Sequence, residues 1–132
     1  MKGSYILLIE VSKDQEIQVG KLGKLFFKKG FYVYVGSALN NLEKRIQRHF
    51  RSDKKLHWHI DYLLKKAQIL DVYYKESNKR EECNISKFFN KKIGSISGFG
   101  CSDCKCSSHL YYGSKKDIEN IAKFANMKKY SA

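Results

Sequence analysis

Tyr32-Val33-Tyr34-Val35 alternates aromatic and β-branched residues, the period-2 pattern of a strand, and a helix pattern follows at once. Gly36 stands at the end of that run, where a residue without a Cβ is expected to let the chain leave the strand in a tight turn. Asn40 offers an N-cap, with Glu43 three residues on as its capping-box partner. Leu42, Ile46 and Phe50 then fall on one helical face, with Arg45, Arg48 and His49 beside it. Few other arrangements fit these residues. Two tyrosines set against a helix that carries arginines and a histidine suit the handling of phosphate.

The charge agrees. Twenty-six basic against 13 acidic residues give a formal net charge of +13, which favours polyanions: nucleic acid first, an anionic membrane surface second. Lysine accounts for most of it and can be a solvated surface. Only four arginines occur, however, and Arg45, Arg48 and Arg51 lie on or just after the one helix. A guanidinium binds phosphate bidentately where an ammonium acts as a point charge, so that clustering tells more than the total. Trp58, with His57 and His59, is a further candidate for contact with nucleic acid, since an indole can stack on a base.

With 132 residues, 42% of them hydrophobic, the chain reads as a single domain over 1–132 with one modest core. No apolar run reaches the ~20 residues of a membrane helix, and Met1-Lys2-Gly3 leads directly into a strand pattern. No membrane association and a cytoplasmic location are therefore expected.

Strands are expected over 4–11, 17–19, 25–27, 32–35, 68–74 and 109–112. Helices are expected after Asn40, over 56–67 and 80–90, and after Ser114, which has Asp117 at its capping-box position. Cys83, Ile85, Phe88 and Phe89 should face inward from the third helix, and Ile118, Ile121, Ala122 and Ala125 from the last. The order of elements predicts an α/β (α+β) domain, a small and mainly antiparallel sheet flanked by helices.

Two constellations could bind metal. His57, His59 and Asp61 form one, although the two histidines point to different sides of a regular helix; His57 and Asp61 lie at i, i+4, so that the carboxylate can instead orient the imidazole. Cys101, Cys104, Cys106 and His109 are dense enough for Zn²⁺, with Cys83 as a possible further thiolate. Partly buried thiols in a tight loop are the competing reading, and the pattern does not look like a secreted disulfide framework.

Tyr34-Val35-Gly36-Ser37-Ala38, followed by a helix with Arg45 and His49, resembles the first half of a GIY-YIG nuclease domain. Gly3-Ser4-Tyr5 would stand for that family's first tyrosine element. The resemblance extends to a small, largely uncharacterised branch with His57-Trp58-His59-Ile60-Asp61-Tyr62-Leu63, Glu82-Cys83 and Gly98-Phe99-Gly100-Cys101-Ser102-Asp103-Cys104-Lys105-Cys106. Some members of the branch are fused to endonuclease III-type DNA glycosylases. The resemblance implies hydrolysis of a DNA phosphodiester with one Mg²⁺ or Mn²⁺, in a setting of DNA repair. Arg45 would stabilise the phosphate, and Tyr5 and Tyr34 would face the cleft to align or activate water. His49 would assist proton transfer or grip the backbone, and Glu82 would hold the metal. The residues themselves leave open a nucleic-acid-binding module without catalysis, and a zinc or redox module centred on the cysteines.

Overall fold

The chain is seen as a computed structural model that describes residues 2–38, 40–79, 81–96, 99 and 108–130. Among them the strands are β1 (Gly3–Val11), β2 (Gln15–Gln18), β3 (Lys24–Phe27), β4 (Gly30–Ala38), β5 (Gln68–Glu76), β6 (Gly94–Ser95), β7 (Leu110–Gly113) and β8 (Lys128–Lys129). The helices are α1 (Leu42–Phe50), α2 (His59–Leu64), α3 (Glu82–Lys92) and α4 (Lys115–Phe124). Six strands form one antiparallel sheet in the order β6-β7-β4-β1-β5-β8, while β2 and β3 pair as a separate hairpin. The α+β architecture expected from the sequence is the one present.

Central β1 is buried on both faces, which explains its unbroken apolar run. Tyr5, Leu7, Ile9 and Val11 share one core with Leu42 and Ile46 of α1 and Ile60 and Leu63 of α2. Ile6 and Leu8 point the other way, into a core with Ile85 and Phe89 of α3 and Ile118, Ile121, Ala122 and Ala125 of α4. Strand alternation thus sorts successive residues between two helical layers.

Several local readings are corrected. Gly36 does not end a strand: β4 continues through it to Ala38, and Gly36 pairs with Tyr5 of β1. A Cβ at position 36 would come within 2.6 Å of the Tyr5 ring and hydroxyl, so the glycine is needed for a close approach and not for a turn. Asn41, not Asn40, caps α1, its side chain accepting from the Lys44 N–H at 3.0 Å. His49 takes the inward position assigned to Phe50, which is 57% exposed.

The helix expected over 56–67 contracts to α2, because the Asp61 carboxylate receives the backbone N–H groups of His57 and Trp58, each at 2.9 Å. Asp61 therefore orders the backbone before the helix and not the His57 imidazole. On α3, Glu82 and Ser86 turn inward with Ile85 and Phe89, whereas Phe88 is exposed and Cys83 half-buried. The Ser114 cap on Asp117 forms as the sequence indicates, at 3.1 Å.

Candidate active site

Adjacent strands place the two tyrosines. In the β1–β4 register Tyr5 lies opposite Gly36 and Leu7 opposite Tyr34, so Tyr5 and Tyr34 are diagonal neighbours on the face that α1 covers. The Tyr5 hydroxyl is 2.6 Å from His49 Nε2, and the Arg45 guanidinium lies near enough to favour the charged form of the phenol. In the Tyr5–His49 bond either partner can be the donor, according to which ring nitrogen carries the His49 proton. The other ring nitrogen, Nδ1, is buried and has no hydrogen-bond partner among the described residues. Tyr34 packs edge-on to the His49 ring at 6.0 Å.

Burial separates the two tyrosines. Tyr5 is 1% exposed, so its hydroxyl meets Arg45 and His49 and does not open on the cleft as expected. Loss of solvent, with the nearby Tyr34, raises its pKa well above the usual value, and Arg45 opposes this only in part. Tyr34 is half-buried. His49 is driven down to a pKa of about 3, chiefly by burial and then by Lys54. It is neutral at pH 7, so it does not act as a cation gripping phosphate.

Arg48 has a different task from Arg45. Its guanidinium donates to both Asp61 carboxylate oxygens at 2.9 and 3.1 Å and to the Lys55 carbonyl at 3.1 Å. Asp61 is fully buried. Burial alone would raise its pKa, but the Arg48 hydrogen bond and the N–H groups of Trp58 and His57 outweigh this and hold it below the usual carboxylate range. Lys54 donates to the carbonyls of Arg48 and His49 at 3.2 and 2.9 Å, closing the C-terminus of α1. Neither Asp61 nor Lys54 was picked out for this bracing role by pattern, because both act on backbone groups that no side-chain spacing reveals.

The Trp58 ring lies beneath two guanidinium carbons, Arg45 Cζ at 4.5 Å and Arg48 Cζ at 4.3 Å from its centroid. His59 packs edge-on to Phe99 at 5.6 Å, and Phe99 is in turn 6.3 Å from Tyr34. Phe99 is a wall of the site that sequence reasoning did not select. His57 is exposed, and its ring leans on Trp58. Beyond His49 lies a cavity of about 560 Å³ whose lining includes Arg51, Lys54, Lys65 and Lys66.

Glu82 enters from α3, where its carboxylate meets the Ser37 hydroxyl on β4, and its charge is felt at Tyr5. It is 9% exposed. One carboxylate beside a hydroxyl fits a Mg²⁺ or Mn²⁺ ion, which commonly takes one or two carboxylates and completes its shell with water and substrate phosphate. Asp61 does not fit, being already bound by Arg48. No group of three or more His, Cys, Asp or Glu residues gathers among the described residues.

Cys83 is disulfide-bonded, so its sulfur is not the thiolate for zinc that the sequence allowed. Cys101, Cys104 and Cys106 lie outside the described residues. His109 is buried, its Nδ1–H 3.2 Å from the Val35 carbonyl it donates to, and its Nε2 is 3.9 Å from Cys83 Sγ.

With the geometry in place, comparison with known proteins gives one match: the profile of a family described as a domain of unknown function, DUF123, covers residues 4–130. The chain belongs to the DUF123 family. No curated protein and no solved structure matches it. The DUF123 match spans both tyrosines, the Arg45 helix, Glu82 and His109. No helix among the described residues of this DUF123 domain is long and apolar enough to cross a membrane.

Proposed function

We propose that this DUF123 domain is a metal-dependent nuclease of the GIY-YIG type that hydrolyses a phosphodiester bond in DNA. The observation that carries the reading is Arg45: it is held by α1 against the Tyr5 hydroxyl, on the face that also presents Tyr34. A guanidinium fixed by a rigid helix stabilises the charge that builds on a phosphate as its bond to the leaving oxygen breaks. Tyr34, the less buried tyrosine, orders the attacking water. Tyr5 acts behind it: its raised pKa keeps it a phenol that stands beside Arg45 and shares a hydrogen bond with neutral His49.

Glu82 would hold the Mg²⁺ or Mn²⁺ ion together with the substrate phosphate. When bound there, that ion supplies Lewis-acid stabilisation of the phosphate and leaving oxygen. Arg51 and the lysines lining the adjoining cavity offer phosphate contacts to the strand beyond the cleavage site. A role in DNA repair is the setting this reading suggests.

The test is incubation of the purified protein with labelled duplex, flap, branched and single-stranded DNA and RNA, with and without Mg²⁺ or Mn²⁺. Metal-dependent cleavage of at least one DNA substrate is expected. Binding without cleavage on every substrate would favour a non-catalytic nucleic-acid-binding module instead.

A further inference from the structure

Arg45 and Arg48 lie one helical turn apart, yet they are held by opposite means. Arg48 is neutralised: Asp61 takes its fork with both oxygens and is itself fully buried. Among the described residues no carboxylate pairs with Arg45; its guanidinium rests on the face of Trp58, near the Tyr5 hydroxyl. This difference has a chemical use. A carboxylate on Arg45 would compete with phosphate for the guanidinium, whereas an aromatic face and a phenol fix its direction and leave its charge intact.

The indole is itself rigidly mounted. Its own backbone N–H donates to Asp61 Oδ2 at 2.9 Å, and the same carboxylate holds Arg48, whose Cζ is 4.3 Å from the ring centroid. Asp61 therefore fixes the backbone from which the indole projects and also cancels the charge of one of the two cations on it. That cancellation allows a second guanidinium, Arg45 at 4.5 Å, to share the ring without facing an uncompensated like charge.

We propose that Trp58 is a positioning residue, an aromatic rest that aims the Arg45 guanidinium at phosphate without neutralising it. This rests on the nuclease reading of the site. It differs from the role in which Trp58 stacks on a nucleobase, because here the ring is engaged by the protein's own cations.

A double-mutant cycle under single-turnover conditions tests it, with substrate binding measured separately and folding checked by circular dichroism. Trp58→Leu, which stays apolar but has no π face, should lower the rate at saturating substrate about 10-fold, with Kd changed by no more than about 2-fold. Trp58→Phe should retain most of the rate. In an Arg45→Ala background Trp58→Leu should cost nothing further, since the group it aims is gone. Lower affinity with an unchanged saturating rate would overturn the proposal in favour of base stacking, and losses that multiply independently would overturn it too.

A second readout needs no cleavage. Trp58 is the chain's only tryptophan, so the fluorescence of the free, folded protein reports on its ring. Arg45→Ala should change that emission, and identical spectra would contradict the contact itself. The two levels separate cleanly. An Arg45→Ala protein that cuts at the parental rate defeats the nuclease reading, whereas an inactive Arg45→Ala beside a fully active Trp58→Leu defeats only the role of Trp58.

Discussion

The Tyr5 hydroxyl and His49 Nε2 stand 2.6 Å apart in the protein interior, each almost closed to solvent. The pairing links the central strand to α1, while burial, with Lys54 nearby, keeps the imidazole neutral, with a pKa of about 3 against 6.5 for the free side chain.

That shift makes stability depend on pH. The unfolded chain takes up a proton at His49 below pH 6.5, while the folded protein does not until about pH 3. Folding is therefore favoured above pH 6.5 and loses stability as pH falls through that window, by at most ~1.4 kcal/mol per pH unit for one group. The pKa of His59, lowered by burial, adds to the loss in the same direction. Denaturant midpoints at pH 7 and pH 5 should differ for the parent and differ less for His49→Gln; an equal drop in both proteins would show that His49 is not the group responsible.

Gly36→Ala should destabilise the fold by ~1–3 kcal/mol through overpacking, because the new methyl would meet the Tyr5 ring at 2.6 Å. As Tyr5 must shift to make room, the variant should lose activity as well. Chemical denaturation and cleavage measured side by side check this, and a parental stability would mean that the ring has freedom to move.

How much of this was legible beforehand follows from where the signals lie. Alternation in Tyr32–Val35 and the 3.6-residue period after Asn41 are local, so strand, helix and the Arg45–His49 grouping could be read directly. The extent of β4 could not, since Gly36 is glycine on account of Tyr5, a residue distant in sequence. Nor could the inward turn of His49 in place of Phe50: a histidine is tolerated in the core only because Tyr5 satisfies its ring nitrogen, again across a long loop. Asp61 illustrates the same limit. Its spacing to His57 suggested an imidazole partner, but its oxygens go to backbone N–H groups and to Arg48.

Asp61→Ala should be among the most destabilising single changes, at ~3–5 kcal/mol, because it leaves Arg48 without its buried partner and removes the acceptor for two backbone N–H groups. Thermal unfolding checks it. A loss below ~1 kcal/mol, the range of exposed ion pairs, would contradict the bracing role.

Glu82→Gln should leave the fold intact and abolish metal-dependent cleavage, since an amide holds a hard divalent cation poorly. Titration with Mn²⁺ separates weakened binding from lost chemistry: partial recovery at high metal concentration is expected. Full activity at low metal concentration would remove Glu82 from the site.

Arg45→Ala tests the account most directly. Its single-turnover cleavage rate, compared with the parent under conditions where both proteins are saturated with the same DNA, should fall by ~10² or more, while binding weakens far less. A folded Arg45→Ala protein that cuts at the parental rate would contradict the assignment of this site.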